Sequence, residues 1–158
     1  MKIGYWLSPD EPHLPSPVAT SALVDPDFLQ KFRAILDTIR DSYRTHLFPY
    51  ISPFENASMC SYLGYSTCRI CQRDNGDSDV LLCNPTLEGS EREYTFPDGL
   101  IHYYEAHGVA ADPEFVDFIK NFELVERPQS AWERAETEAR TQRYYNFLSG
   151  SAGLKYTI

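Results

Sequence analysis

Cys68-Arg69-Ile70-Cys71, a turn signal at Asn75-Gly76, and then Phe96-Pro97-Asp98-Gly99-Leu100-Ile101-His102-Tyr103-Tyr104-Glu105-Ala106-His107-Gly108 form the stretch on which the reading of this chain turns. Two cysteines with two residues between them precede two histidines with four between them. Thiolate sulfur and neutral imidazole nitrogen together suit a borderline-soft ion, and four such donors complete a closed tetrahedron, so the set points to zinc. The two residues inside a Cys-x-x-Cys knuckle turn the chain back so that both sulfurs face one point. The expected ligands of Zn2+ are therefore Cys68, Cys71, His102 and His107.

The knuckle runs into Gln72-Arg73-Asp74-Asn75-Gly76-Asp77-Ser78-Asp79, which is turn material. A redox Cys-x-x-Cys opens a helix after a strand, where the helix dipole lowers the thiolate pKa, and this context is different. The acidic run has the density of a calcium loop without its register. Arg73 falls where a ligand is needed and no glutamate stands at the twelfth position, so it reads as a solvated turn. Asp79-Val80-Leu81-Leu82-Cys83 reads as a strand and Glu93-Tyr94-Thr95-Phe96 as its partner, with Pro85 and Gly89 in the loop between them. Pro97-Asp98-Gly99 then starts a short helix that Gly108 closes. Tyr94, Phe96, Tyr103 and Tyr104 read as core around the metal.

Toward the N-terminus, a short strand is expected over residues 2–7, followed by an irregular Pro-rich arm over 8–25 that contains Pro9, Pro12, Pro15 and Pro17. Asp25-Pro26 begins the clearest helix, in which Phe28, Phe32, Ile35, Leu36, Ile39 and Tyr43 recur at spacings of three and four. It is expected to reach His46, read as a C-terminal cation. A strand over Cys60 to Tyr65 delivers the chain to the knuckle. Asn56-Ala57-Ser58 has the form of a glycosylation sequon, which carries little meaning without a secretory signal. Toward the C-terminus, Asp112-Pro113 caps a helix with an apolar stripe of Phe115, Val116, Phe118, Ile119 and Phe122. A last helix over 130–148 carries Arg134/Glu138 and Glu136/Arg140 pairs one turn apart. The expected architecture is a single α+β domain over 1–158: a zinc-bound knuckle, β-hairpin and helix unit at 60–108, packed against about three further helices.

The order knuckle, hairpin, helix resembles a treble-clef zinc unit. One geometric objection attaches to it. On an ideal helix, positions five apart differ by about 140° around the axis, which keeps two such histidines from one ion. Gly108 answers this if the helix tightens or frays at His107; if the helix stays regular, Cys83 is the reserve ligand in place of His107.

The same run, together with His107-Gly108-Val109, resembles a family of small, mostly bacterial proteins of uncharacterised function that combine a Cys-x-x-Cys knuckle with a Trp-Pro-x-Gly-Leu-x-His-Tyr segment. Phe96 stands here in place of that tryptophan, and Asp98 where glutamate is common. The resemblance spans about forty residues from Cys68 to His107 and the first helix faintly. It implies the same ligand choice and no activity.

Composition bounds what such a unit does. The 158 residues include 23 acidic and 14 basic ones, for a formal charge of -9. That field repels nucleic-acid backbones and anionic lipid surfaces. No window reaches the roughly 18 apolar residues of a membrane span, and the N-terminus lacks signal-peptide character, so a cytoplasmic protein is expected. In a reducing compartment the cysteines Cys60, Cys68, Cys71 and Cys83 serve as thiols or ligands, not disulfides. A chain of this length buries a core of its own, which makes the metal a local organiser.

These readings favour a non-enzymatic role: a zinc-stabilised binding or regulatory module that presents an acidic, aromatic-rich surface to a protein partner, with nucleic acid and membrane disfavoured. Two alternatives compete. A metal-dependent hydrolase needs an open position on the zinc, with Glu105 beside it; yet peptidase histidines stand four apart, and this set fills all four positions. An acidic immunity-type protein neutralising a basic toxin fits the charge.

Overall fold

Asp25 and Pro26 start the first helix in the way their chemistry dictates. The Asp25 carboxylate accepts the N–H groups of Asp27 at 2.9 Å and Phe28 at 3.4 Å, while Pro26 takes the first helical position, where an N–H is not needed. The resulting helix α1, Pro26–Thr45, turns Phe28, Phe32, Ile35, Leu36, Ile39 and Tyr43 inward, and all six are buried. Each such side chain contributes about 1.5–3 kcal/mol by leaving water. The computed structural model describes residues 1–8, 11–20, 24–45, 52–62, 64–128, 130, 134, 138 and 141–142. His46 and most of the helix expected over 130–148 lie outside the described residues; within that span the Arg134 N–H donates to the Ser130 carbonyl at 3.1 Å.

Three strands, β1 (Ala57–Ser61), β2 (Ser78–Cys83) and β3 (Glu93–Pro97), form one antiparallel sheet in the order β1-β2-β3. The register sets Met59 opposite Val80 and Val80 opposite Phe96, with Ala57 opposite Leu82 and Leu82 opposite Tyr94. Because side chains alternate across a strand, these residues share one face. The helices cover that face: Phe32 meets Phe96 at 5.3 Å between ring centroids, and Tyr94 meets Phe115 at 5.1 Å and Phe118 at 4.8 Å. The second helix, α2 (Leu100–His107), packs on α1 through Tyr104 and Phe28, whose centroids lie 5.7 Å apart. The third, α3 (Pro113–Asn121), is capped by Asp112, which accepts from Glu114 at 2.8 Å and Phe115 at 3.2 Å.

The chain is thus a mixed assembly of three helices and a three-stranded sheet among the described residues, with α1 and α3 outside the knuckle, hairpin and helix run. Two strand expectations shift. The Lys2–Leu7 strand reduces to one parallel bridge, Lys2 to Thr95, because Gly4 takes a φ of 71° and turns the chain off the sheet against Leu100. The strand expected over Cys60 to Tyr65 runs instead from Ala57, a residue too small to register as an apolar signal yet buried against Leu82, and ends at Ser61.

Asn56 is buried and spends its amide internally, donating to the Glu123 carbonyl at 2.8 Å and accepting from the Val125 N–H at 2.9 Å. That use closes the sequon reading. The arm returns to the helix end: the Thr20 hydroxyl donates to the Gly108 carbonyl at 2.7 Å. No helix among the described residues is long and apolar enough to cross a membrane.

Candidate metal centre

The knuckle is a closed loop before it is a ligand set. Thr67 and Asp74 form an antiparallel bridge, the Cys68 N–H donates to the Arg73 carbonyl at 2.9 Å, and the Gln72 N–H returns to the Cys68 carbonyl at 3.0 Å. Gln72 takes a φ of 60°, the left-handed turn that closes the loop. Inside it, the Ile70 N–H points at the Cys68 sulfur at 3.4 Å.

Two glycines dock this loop on the start of α2. A Cβ on Gly76 would lie 2.0 Å from an Asp98 carboxylate oxygen, and one on Gly99 would lie 2.2 Å from the Asn75 carbonyl. The Asn75-Gly76 and Asp98-Gly99 pairs therefore pack backbone to backbone, a distance only glycine permits. Asp98 is buried and fastens the junction: it accepts from the Ser78 N–H at 3.3 Å and from the Arg40 guanidinium of α1 at 3.0 Å.

This docking brings Cys68, Cys71, His102 and His107 together, with their donor atoms all within 4.8 Å of one another. Cys68 Sγ lies 3.3 Å from His107 Nε2, Cys71 Sγ lies 3.3 Å from His102 Nε2, and the two Nε2 atoms are 3.2 Å apart. A tetrahedral zinc site has edges of about 3.4 Å between nitrogens and about 3.6 Å between sulfur and nitrogen, from bonds of about 2.0–2.3 Å. The donor set and its spacing fit zinc.

The five-residue spacing is resolved at the C-terminus of α2. The N–H of Gly108 bonds back to the Tyr103 carbonyl, five residues earlier, and Val109 bonds the same oxygen at 3.1 Å. A turn closed over five residues is wider than the α-helical one, and it brings residue 107 around toward the side of 102. Gly108 supports it with φ 57° and ψ 30°, the left-handed cap for which glycine is favoured. Cys83 stands at the end of β2 opposite Glu93 and is not in the cluster.

The surroundings suit a metal. Burial alone would raise the Cys68 thiol, but the N–H groups of Cys71 and Ile70, with the Cys71 and Tyr103 side chains, outweigh it and hold Cys68 below its ordinary value. Burial, then the charges of His107 and Arg73, lower the His102 pKa and favour the neutral imidazole that a metal requires. Tyr103 braces the knuckle from outside the cluster. Its hydroxyl accepts the Arg69 N–H at 2.8 Å and bonds to Cys68. Burial pushes that hydroxyl up, the Arg69 N–H works against it, and the Cys68 charge adds to the rise, so it stays protonated.

Glu105, the residue a peptidase mechanism would need, is spent elsewhere. Arg33 of α1 grips its two carboxylate oxygens, one of them at 3.1 Å from Nε. In the acidic turn, Asp77 accepts the Ser78 hydroxyl at 2.8 Å and Asp79 accepts the Tyr62 hydroxyl at 2.9 Å. The bracing roles of Tyr103, Asp98 and Arg40 escape a reading of periodicity and spacing, which gives Tyr103 only as core.

Comparison of the chain with protein-family models, with curated proteins and with solved structures gives no match. The family resemblance rests on the quoted residues alone, of which the Cys-x-x-Cys and the two histidines are found together.

Proposed function

We propose that Cys68, Cys71, His102 and His107 hold one structural Zn2+ within a treble-clef-like unit, and that the chain is a zinc-stabilised binding module acting through a protein partner. The observation that carries this is the closed set of two sulfurs and two nitrogens with contacts of 3.2–3.3 Å. Four protein donors fill a tetrahedron and leave no position for water or substrate. When bound, the ion would fix the knuckle to both ends of α2, and the surface built on them would become rigid.

The hydrolase reading draws no support from Glu105, which is held by Arg33. The formal charge of -9 supports a basic partner surface over an anionic one. X-ray absorption on the purified chain tests the metal: one zinc in a shell of two sulfurs and two nitrogens is expected, and an oxygen ligand from water would overturn the structural assignment.

A further inference from the structure

Beside the metal cluster, a cavity of about 400 Å³ opens between the N-terminal segment and the knuckle loop. Its walls carry five aromatic rings: Tyr5, Trp6, Tyr62, Tyr65 and Tyr103. Tyr65 is 70% exposed and Tyr62 56% exposed, a large aromatic area left uncovered at the rim. At the inner wall Trp6 lies against Tyr103, centroids 5.5 Å apart. The Trp6 indole nitrogen is buried and has no hydrogen-bond partner among the described residues. An indole N–H only donates, so this group is available to an acceptor that enters the cavity.

The charge in the cavity has one sign in excess. Glu11, Asp77 and Asp79 line it against Arg69, and the Arg69 guanidinium is engaged with the Thr67 carbonyl at 2.9 Å. Aromatic faces attract cations, and carboxylates nearby add their own attraction. Tyr5 demonstrates this within the chain, since the Lys2 ammonium sits over its ring at 5.8 Å from the centroid. The same negative charge works against the phosphates of a nucleic acid, although the rings would stack with bases.

We propose that this cavity binds a lysine or arginine side chain of a partner polypeptide, with a neighbouring backbone carbonyl of that partner accepting from Trp6 Nε1. The proposal rests on the binding-module reading and names the surface and the chemistry it recognises. Tyr103 and Arg69 join the cavity to the metal unit, because the hydroxyl of the one holds the N–H of the other at 2.8 Å. Metal binding at Cys68 and His102 would then set one wall.

Nitrogen-15 spectra of the zinc-loaded full chain test this through the Trp6 indole N–H, assigned by its disappearance in Trp6→Phe. N-acetyl-lysine N-methylamide and the arginine analogue are expected to shift that resonance saturably. The neutral norleucine analogue should need about tenfold more, and Tyr65→Ala or Asp79→Asn should weaken the cationic probes about fivefold to tenfold. Equal saturation by norleucine, or no shift with either cationic amide, overturns the proposal. Saturation by methylammonium at the same concentration as the lysine amide overturns the peptide part. Two results separate this proposal from the reading beneath it. Zinc bound with no shift leaves the metal assignment standing and removes the cavity; a shift in a chain that fails to take up zinc when it is supplied supports the cavity and removes the metal.

Discussion

Cys68 Sγ and His107 Nε2 stand 3.3 Å apart, although 39 positions separate them in the chain. Neither residue has a reason to be there alone. A buried thiol and an imidazole at the capped end of a helix meet only because the knuckle loop and the cap of α2 are shaped toward one point. An ion that binds the four donors therefore stabilises a contact with a large loop-closure cost in the unfolded chain.

The first prediction concerns that linkage. Cys71→Ser should abolish stoichiometric zinc, read by elemental analysis, because a hydroxyl is a poor substitute for a thiolate. The sheet and the helix faces bury Phe28, Phe32, Phe96 and Phe115 without the metal's help. Amide exchange should therefore accelerate in residues 66–76 and 100–108 while α1 and α3 stay protected. Loss of protection in all elements together would show that the metal organises the whole fold.

Gly108 offers a separable test of the histidine spacing. Alanine at φ 57° is strained, and the cost in the left-handed region is about 1–2 kcal/mol. Gly108→Ala should lower the unfolding free energy by that amount, read as a lower urea midpoint at unchanged slope. The wider last turn that aims His107 should relax as well, lowering zinc affinity about tenfold, the equivalent of about 1.4 kcal/mol. A competition titration with a chromophoric chelator measures it, and unchanged affinity would mean that His107 reaches the ion without the cap.

A third prediction falls on Asp98, whose buried carboxylate holds Arg40 at 3.0 Å and the Ser78 N–H at 3.3 Å. Asp98→Ala would take the carboxylate from both donors, leaving the Ser78 N–H without it and Arg40 with only the residue-98 carbonyl at 3.1 Å and Asp37, and should destabilise the chain by about 3 kcal/mol. Asp98→Asn keeps the shape and one acceptor oxygen, and should cost less. Chemical denaturation of the two variants checks the order; an equal loss would mean that packing against Gly76, not the hydrogen bonds, is what Asp98 supplies.

Much of this architecture is legible before any coordinates. Phe28 to Tyr43 repeat at helical spacing, Asp25-Pro26 and Asp112-Pro113 mark helix starts, and the two ligand pairs stand out because the chain has only four cysteines and four histidines. Local rules cover these features, since cap and periodicity act within a turn or two. The remainder depends on pairs far apart in sequence. Gly76 against Asp98 and Gly99 against Asn75 are reciprocal close approaches, and no periodicity announces them. Arg40 looks like one more surface cation on α1 until Asp98 is seen beneath it. The Lys2–Leu7 segment has strand composition, yet Gly4 at φ 71° ends the pairing after a single bridge.

The last prediction takes its sign from the ion pair that ties α1 to α3, in which the Lys120 ammonium donates to the Asp25 carboxylate. That hydrogen bond, helped by the N–H groups of Phe28 and Asp27, holds the Asp25 carboxyl below its ordinary 3.8. The same bond raises Lys120 above its ordinary 10.5. A depressed carboxyl stabilises the fold above its unfolded value, and the contribution fades as pH falls through the folded one; a raised ammonium stabilises below its unfolded value and fades as pH rises through the folded one. The pair should therefore contribute evenly between about pH 5 and pH 9 and weaken on either side. Measured as the difference in urea midpoint between the natural chain and Lys120→Met, the gap should hold across that window, shrink below about pH 3, and narrow in high salt because both groups are partly exposed. A gap that grows on acidification would mean that Asp25 acts through the helix start alone and that Lys120 adds nothing to it.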